Sequence, residues 1–141
     1  MVSKAYQLEY DGYWREPNVG GMSDNSGIYC VYSCVFNASE KTVTLKKVLY
    51  IGESENIRER ISSHEKWDAW KSKLTSGQQL CLSAALINGD ADRRRAEAAM
   101  INKHKPPCNT EYVNAFPYDQ TSIATSGKNG LLDPNFTVYR S

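Results

Sequence analysis

Three stretches of apolar, β-branched and aromatic residues are separated by turn-forming and polar residues in the first two thirds of the chain. Residues 28–36 and 42–51 each predict a strand, and the polar turn at 37–39 predicts that they pair as an antiparallel hairpin. Residues 80–87 have the same character and predict a third strand. The pattern therefore predicts a three-stranded antiparallel central sheet.

Two helical patterns follow the second and third of these strands. Asn56 is a favourable N-cap with Glu59 at the capping-box position, and apolar residues at helical spacing continue to about Leu74. The alanine-rich residues 91–104 predict another helix, which Pro106–Pro107 ends because proline has no backbone N–H. The order strand, strand, helix, strand, helix predicts a small α/β sandwich in which helices flank the central sheet.

Weaker patterns lie at both ends of the chain. Residues 6–14 alternate around an Asp-Gly turn signal and predict a hairpin, whereas residues 17–26 predict a loop. Residues 121–125 and 136–139 predict short strands separated by a loop. Because no repeat or linker divides residues 1–141, we expect a single domain with extra β or irregular segments at both ends.

The composition is that of an ordinary folded protein, with 40% hydrophobic and 23% charged residues in 141. No apolar run approaches the roughly 20 residues needed to cross a bilayer, and no signal-peptide pattern opens the chain. We therefore expect a cytoplasmic protein without membrane contact. The four cysteines lack zinc-site spacing, and we expect them to behave as small buried hydrophobic residues.

The net charge of +1 conceals an uneven distribution of charge along the chain. Residues 41–105 contain thirteen basic and eight acidic residues, a net of +5, whereas the segments on either side are net negative. This asymmetry permits a local surface that faces phosphate groups, although lysines and arginines on any solvated helix give the same count.

Two tripeptides on the predicted hairpin connect the chain to a known pattern. Gly27-Ile28-Tyr29 and Tyr50-Ile51-Gly52 resemble the name-giving motifs of the GIY-YIG nucleases. Further positions match that family at its expected spacings: Arg60 and His64 on the first helix, Glu97 on the second, and Asn109 twelve residues later. The resemblance covers about residues 26–112 as the core, which leaves an N-terminal extension, 1–25, and a C-terminal extension, 113–141.

The resemblance implies a divalent-metal-dependent endonuclease that hydrolyses phosphodiester bonds in DNA and leaves 5′-phosphate and 3′-hydroxyl ends. Glu97 offers the hard oxygen ligand that one Mg²⁺ or Mn²⁺ prefers. The planar fork of Arg60 suits two phosphate oxygens, and an i, i+4 spacing on one helix would place His64 on the same face. Tyr29, Tyr50 and His64 remain alternatives for the general base, while Gly27, Gly52 and Asn109 are expected to support the site.

Basic residues near these positions are candidates for contacts to the nucleic-acid backbone, which give affinity without sequence information. They are Arg58, Arg93, Arg94, Arg95, Lys103 and Lys105. Twenty residues separate Tyr29 from Tyr50, so an insert at about 36–47 is expected to lengthen the hairpin or its loop.

The sequence leaves the substrate and the biological pathway open. We expect duplex or branched DNA, with RNA as a further alternative, and either a homodimer or a partner protein as a source of specificity. Two other functions are compatible with the same fold. One is a binding module for nucleic acid or protein that does not cut, and the other is a sequence-specific enzyme of the restriction type. Metal-dependent cleavage that Glu97→Ala abolishes would separate the nuclease from the binding module.

Overall fold

Six strands form one mixed sheet in the computed structural model, which describes residues 2–141. The strands are β1 (Lys4–Arg15), β2 (Gly27–Asn37), β3 (Thr42–Ser54), β4 (Gln79–Leu86), β5 (Thr121–Gly127) and β6 (Asn135–Val138). The helices are α1 (Ile57–Ser62), α2 (Trp67–Lys71) and α3 (Asp90–His104), with a 3-10 helix at Glu16–Gly21. Across the sheet the order is β3-β2-β4-β1-β5-β6, so β3 and β6 are its edges.

The predicted fold class, a three-stranded sheet flanked by helices, is wrong. The sheet has twice as many strands and curves into a half-barrel, with 39% of the chain in strands and 23% in helices. The error comes from both ends of the chain. Strand β1 pairs antiparallel with β4 and parallel with β5, and β6 pairs with β5, so segments treated as additions to the core belong to the same sheet.

The N-terminal segment forms one continuous strand instead of the hairpin predicted within residues 6–14. The glycine of the Asp-Gly signal lies inside β1, at an irregularity in its pairing with β4. A Cβ atom on Gly12 would lie 2.9 Å from the carbonyl oxygen of Leu82 on that strand. The glycine therefore permits a close approach of two strands, a role that a sequence pattern does not distinguish from a turn.

The helix predicted from Asn56 to about Leu74 is divided into α1 and α2. Its start is as predicted, because the Asn56 side chain accepts a hydrogen bond from the backbone N–H of Glu59. The hydroxyl of Ser62 donates to the Glu59 carbonyl, and α1 ends at Ser62. His64 lies in the break between the two helices, so the expected i, i+4 pair with Arg60 on one helix is not formed.

Apolar side chains pack on both faces of the sheet. One cluster lies between the sheet and α3 and includes Met100, Phe116 and Ile123. The other lies beneath α1 and α2 and includes Ile57, Trp70 and Leu82. Three of the four free cysteines, Cys30, Cys34 and Cys81, are buried, as predicted. In the part of the chain that the structure describes, no helix has the length and hydropathy to cross a bilayer.

Gly27 begins β2 at a point with no room for a side chain. A Cβ atom there would lie 2.2 Å from the Ala85 carbonyl oxygen and 2.8 Å from Cδ1 of Ile57. We expect Gly27→Ala to lower the free energy of unfolding by about 1–3 kcal/mol, because the strands or α1 must move apart. Gly20→Ala is the control, since nothing lies within 4 Å of the added carbon. Urea denaturation measures both, and equal stabilities of the two variants would contradict the expected steric clash.

Candidate functional site

A cavity of about 590 Å³ brings together most of the residues that the sequence singles out. Its lining residues are Tyr29, Tyr50, Glu53, Arg60, Glu65, Lys66, Arg94, Glu97, Ile101, Asn109, Thr110, Glu111 and Tyr112. They come from the β2–β3 pair, from α1 and the loop after it, from α3, and from the segment that follows α3. Of the five predicted catalytic residues, only His64 does not line the cavity, and its side chain is fully buried.

Tyr29 and Gly52 face each other across the β2–β3 hairpin. A Cβ atom on Gly52 would lie 2.4 Å from both the hydroxyl oxygen and the Cζ atom of Tyr29, so the ring rests directly on the glycine backbone. The neighbouring Tyr50 ring is 6.2 Å away, centroid to centroid. The glycine of the second tripeptide therefore sets the position of the tyrosine of the first.

The buried side chain of His64 forms a hydrogen bond with the hydroxyl of Tyr29. Its Nε2 atom lies 2.9 Å from that hydroxyl, and its Nδ1 atom accepts a hydrogen bond from the backbone N–H of Lys66 at 3.1 Å. Burial, followed by the positive charge of Arg60, lowers the pKa of His64 to about 4. A neutral ring whose Nδ1 accepts carries its proton on Nε2, so His64 donates to Tyr29 and has no free lone pair.

Arg60 points into the cavity but forms an ion pair there. Its two terminal nitrogens lie 2.7 and 3.0 Å from the carboxylate oxygens of Glu65. This hydrogen-bonded pairing lowers the pKa of Glu65 to about 2 and raises that of Arg60. A planar fork that binds a carboxylate in this way can bind two phosphate oxygens with the same geometry.

Glu97 is a partly buried carboxylate in a negatively charged environment. Burial is the largest influence on it, and the charges of Glu53 and Glu111 add to that influence, so its pKa rises to about 8. Glu53 forms an ion pair with Arg93 at 2.6 Å. No ion pair that involves Glu97 is found among residues 2–141. A cation beside this carboxylate would relieve both its burial and its repulsion.

The donor set fits a single hard cation with one protein carboxylate and water as its other ligands. In the described residues, 2–141, no three His, Cys, Asp or Glu side chains form a cluster that could hold a metal ion, so an ion in this cavity would depend on Glu97 and water. A structural zinc site would need four such ligands, which the chain does not assemble there.

Asn109 supports the site through the backbone of the edge strand β3. Its side-chain oxygen accepts a hydrogen bond from the N–H of Ile51, and its amide nitrogen donates to the carbonyl of the same residue, both at 2.9 Å. The adjacent Cys108 N–H donates to the Leu49 carbonyl. The segment after α3 therefore attaches to β3 at Ile51, next to Tyr50.

Among the six basic residues predicted to contact nucleic acid, the cavity contains only Arg94. Arg93 is 3% exposed and pairs with Glu53 and Asp90. Arg95 donates to three backbone carbonyls and to Thr121, which ties α3 to both ends of the chain. Arg58 and Lys105 donate to backbone carbonyls, and Lys103 lies 3.5 Å from Asp133. These side chains are already engaged within the protein.

Four charged residues of the cavity were not among the predicted site residues. They are Glu53, Glu65, Lys66 and Glu111. Glu65 and Lys66 directly follow His64, and the break between α1 and α2 turns them toward the cavity. Glu53 directly follows the second tripeptide, and this position next to the motif could have predicted that it lies near the site. Glu111 lies beyond the prolines in an irregular segment, where no periodic pattern indicates the direction of a side chain.

Comparisons with known proteins give a partial similarity. Neither a protein-family model nor a solved structure matches the chain significantly. The chain is similar to UvrABC system protein C of Thermosipho africanus (strain TCF52B), with 29% identity over 82 residues. The match covers 55% of this chain and 15% of that protein, so it spans only a small part of the length of that relative.

The raised pKa of Glu97 makes stability depend on pH. Because its folded pKa of about 8 exceeds its ordinary value of 4.5, the folded chain holds a proton that the unfolded chain releases between these values. Stability is therefore lost as the pH rises through this window. We expect Glu97→Gln to be more stable than the wild type at pH 9 by on the order of 1–2 kcal/mol, and equal to it at pH 4.

Urea denaturation in the presence of EDTA measures this difference. Glu9→Gln is the control, because Glu9 is exposed on β1 away from the cavity. A stability difference between Glu97→Gln and the wild type that does not change with pH would contradict the expected linkage.

Proposed function

We propose that the protein is a divalent-metal-dependent endonuclease of the GIY-YIG type, and that the cavity beside β3 is its active site. The observation that carries this proposal is the convergence of Tyr29, Tyr50, Arg60 and Glu97 on one cavity. The partial similarity to UvrABC system protein C also supports a nuclease domain. The proposed substrate is DNA, duplex or branched, with RNA as the alternative that a cleavage assay tests.

Glu97 would hold one Mg²⁺ or Mn²⁺ together with water molecules. Such an ion stabilises the negative charge that develops on the phosphate in the transition state and lowers the pKa of bound water. The neighbouring acidic residues would increase the attraction for the ion. Because a ligating carboxylate must be ionised and the pKa of Glu97 is raised to about 8, ion affinity is expected to increase with pH.

Arg60 would bind the phosphate group that is cleaved. In the absence of substrate, Glu65 occupies its guanidinium fork at 2.7 and 3.0 Å. Because Glu65 is an exposed side chain, a phosphate can displace it without opening the core. The exchange replaces one charge-assisted bidentate pair by another, so it is close to balanced in energy. Glu65 would then keep the fork oriented before the substrate arrives.

Tyr29, after its phenolic proton has passed to solvent, is the group that we propose to accept a proton from the attacking water. Its hydroxyl oxygen receives the Nε2–H of His64, which stabilises negative charge on that oxygen, and the positive charge of Arg60 acts in the same direction. Burial raises the pKa of Tyr29, whereas the charge of Arg60 lowers it, and a cation held by Glu97 would act in the same direction as Arg60. His64 is a positioning residue in this scheme, because neither ring nitrogen has a free lone pair.

Tyr50 would contact the substrate instead of removing the proton. Its ring packs against His64 and Trp70, with centroid distances of 5.4 Å to each, and its side chain is more exposed than that of Tyr29. Burial and the charge of Glu97 raise the pKa of Tyr50 to about 12. A protonated hydroxyl at this position can donate a hydrogen bond to a phosphate oxygen or to water.

Cleavage of DNA in the presence of metal tests the proposed function. Supercoiled, linear, single-stranded and branched DNA are incubated with Mg²⁺, Mn²⁺ or EDTA. We expect cutting that requires the metal and falls by at least about 100-fold in Glu97→Ala, because the ion loses its protein ligand. Glu9→Ala is the control, since it removes an exposed carboxylate remote from the cavity. Undiminished cutting by Glu97→Ala would contradict the proposed site.

A comparison of two tyrosine variants tests the assignment of the proton acceptor. We expect Tyr29→Phe to lower the single-turnover cleavage rate by about 100-fold to 10,000-fold, which is the usual contribution of a general base. Tyr50→Phe is the matched variant and is expected to lose about tenfold or less, because one neutral hydrogen bond contributes on the order of 1 kcal/mol. The opposite order of the two rates would assign the proton transfer to Tyr50.

A further inference from the structure

A second cavity, of about 610 Å³, lies at the far end of the β2–β3 hairpin and shares no lining residue with the first. We propose that it binds the sugar-phosphate backbone of the nucleic acid, on the duplex that flanks the cleaved bond. Its lining residues are Gly12, Tyr13, Arg15, Asn18, Phe36, Ala38, Lys41, Thr42, Val43 and Lys128. This inference rests on the proposed function, because it extends the binding of the same substrate.

The charge of this second cavity is uniform. Among the residues described, it is lined by three basic side chains, Arg15, Lys41 and Lys128, and by no acidic one. Neither lysine takes part in an ion pair within residues 2–141, whereas Lys4, Lys71 and others do. Such a concentration of unpaired positive charge attracts a polyanion.

The fold holds the basic groups of the second cavity in place. The Arg15 guanidinium stacks 3.6 Å from the centroid of the Phe36 ring and donates to the Gln79 side chain. In the loop after β5, the backbone N–H of Lys128 donates to the Tyr10 carbonyl, and the nearby Gly130 N–H donates to the Tyr13 hydroxyl. The Arg15 guanidinium and the backbone that carries Lys128 are therefore fixed to the sheet before a ligand binds.

The aromatic side chains favour contact with phosphate over stacking of bases. Phe36 is covered by Arg15, and Tyr13 packs edge-on against Tyr32 with a centroid distance of 5.7 Å. One face of Phe36 is therefore occupied by a cation, and Tyr13 is already packed against another ring. Lysine ammonium groups bind phosphate as point charges, and such contacts add affinity without sequence information.

The two cavities lie along the same strand, β3. Thr42 and Tyr50 are eight positions apart on β3, which corresponds to about 26 Å of strand. At 3.4 Å per base pair, this distance is about seven or eight base pairs. The long hairpin produced by the insert at about 36–47 thus places positive charge farther away than a duplex of about 8 base pairs, centred on the first cavity, extends to either side.

The test is equilibrium binding in EDTA, measured by fluorescence anisotropy with duplexes of about 30 and about 8 base pairs. We expect the double variant Lys41→Ala/Lys128→Ala to bind the long duplex about tenfold more weakly, and its salt dependence to fall by about two phosphate contacts. Binding of the short duplex should not change. Lys41→Arg/Lys128→Arg should restore the affinity, because it keeps the charge.

Lys4→Ala/Lys71→Ala is the matched control, since it removes two positive charges from residues that already form ion pairs. Equal binding of the long duplex by the wild type and Lys41→Ala/Lys128→Ala would overturn the second contact alone and leave the nuclease site untouched. No binding of either duplex by the wild type would also overturn the second contact, whereas the proposed function is decided separately by the cleavage assay with metal. Displacement of the long duplex by inorganic phosphate at constant ionic strength would identify a small-anion site and overturn the assignment to a nucleic-acid backbone.

Discussion

The ring of Tyr29 lies on the backbone of Gly52, and the rest of the candidate site is arranged around this contact. A Cβ atom on the glycine would come within 2.4 Å of the hydroxyl oxygen, so only glycine allows the strands to pair while the hydroxyl reaches His64. The same pairing places Tyr50 beside Tyr29 on the edge strand β3, where no further strand covers the cavity. Asn109 holds that edge by two hydrogen bonds to Ile51, which connects the segment after α3 to it.

The charged residues of the candidate site are in electrostatic environments that a bound cation or phosphate would improve or match. Glu97 is partly buried and repelled by neighbouring acidic groups, whereas Arg60 is already paired with an exposed carboxylate. The partly buried carboxylate of Glu97 lowers the stability of the fold, as expected for a residue that serves ligand binding instead of folding. A metal ion at Glu97 would relieve the repulsion there, and a phosphate at Arg60 would replace one bidentate ion pair with another of similar energy. The proposed chemistry therefore needs no rearrangement of the core.

The motifs indicated residues that line one cavity, whereas the hydrophobic pattern gave the wrong fold class. The tripeptides containing Tyr29 and Tyr50 identified the residues that meet at the cavity, because strand pairing fixes their relation within a few residues. The number of strands was underestimated because the pairing of β1 with β4 and β5 joins residues at least 66 positions apart, which no local pattern records. The sequence also did not show which of the basic residues face the cavity. Arg93 and Arg94 are adjacent in sequence, yet one is buried in ion pairs and the other faces the cavity, since successive helical residues point in different directions.

The most direct test of the central claim is the location of Mn²⁺ by anomalous X-ray scattering in crystals of the protein, grown or soaked at about pH 8.5 so that Glu97 is ionised. The account predicts one ion in contact with the carboxylate of Glu97, inside the cavity lined by Tyr29, Tyr50 and Arg60. It also predicts loss of that ion in Glu97→Gln crystals of the same form. An ion bound elsewhere, with the Glu97 carboxylate free of metal while the same protein cleaves DNA in Mn²⁺, would contradict it.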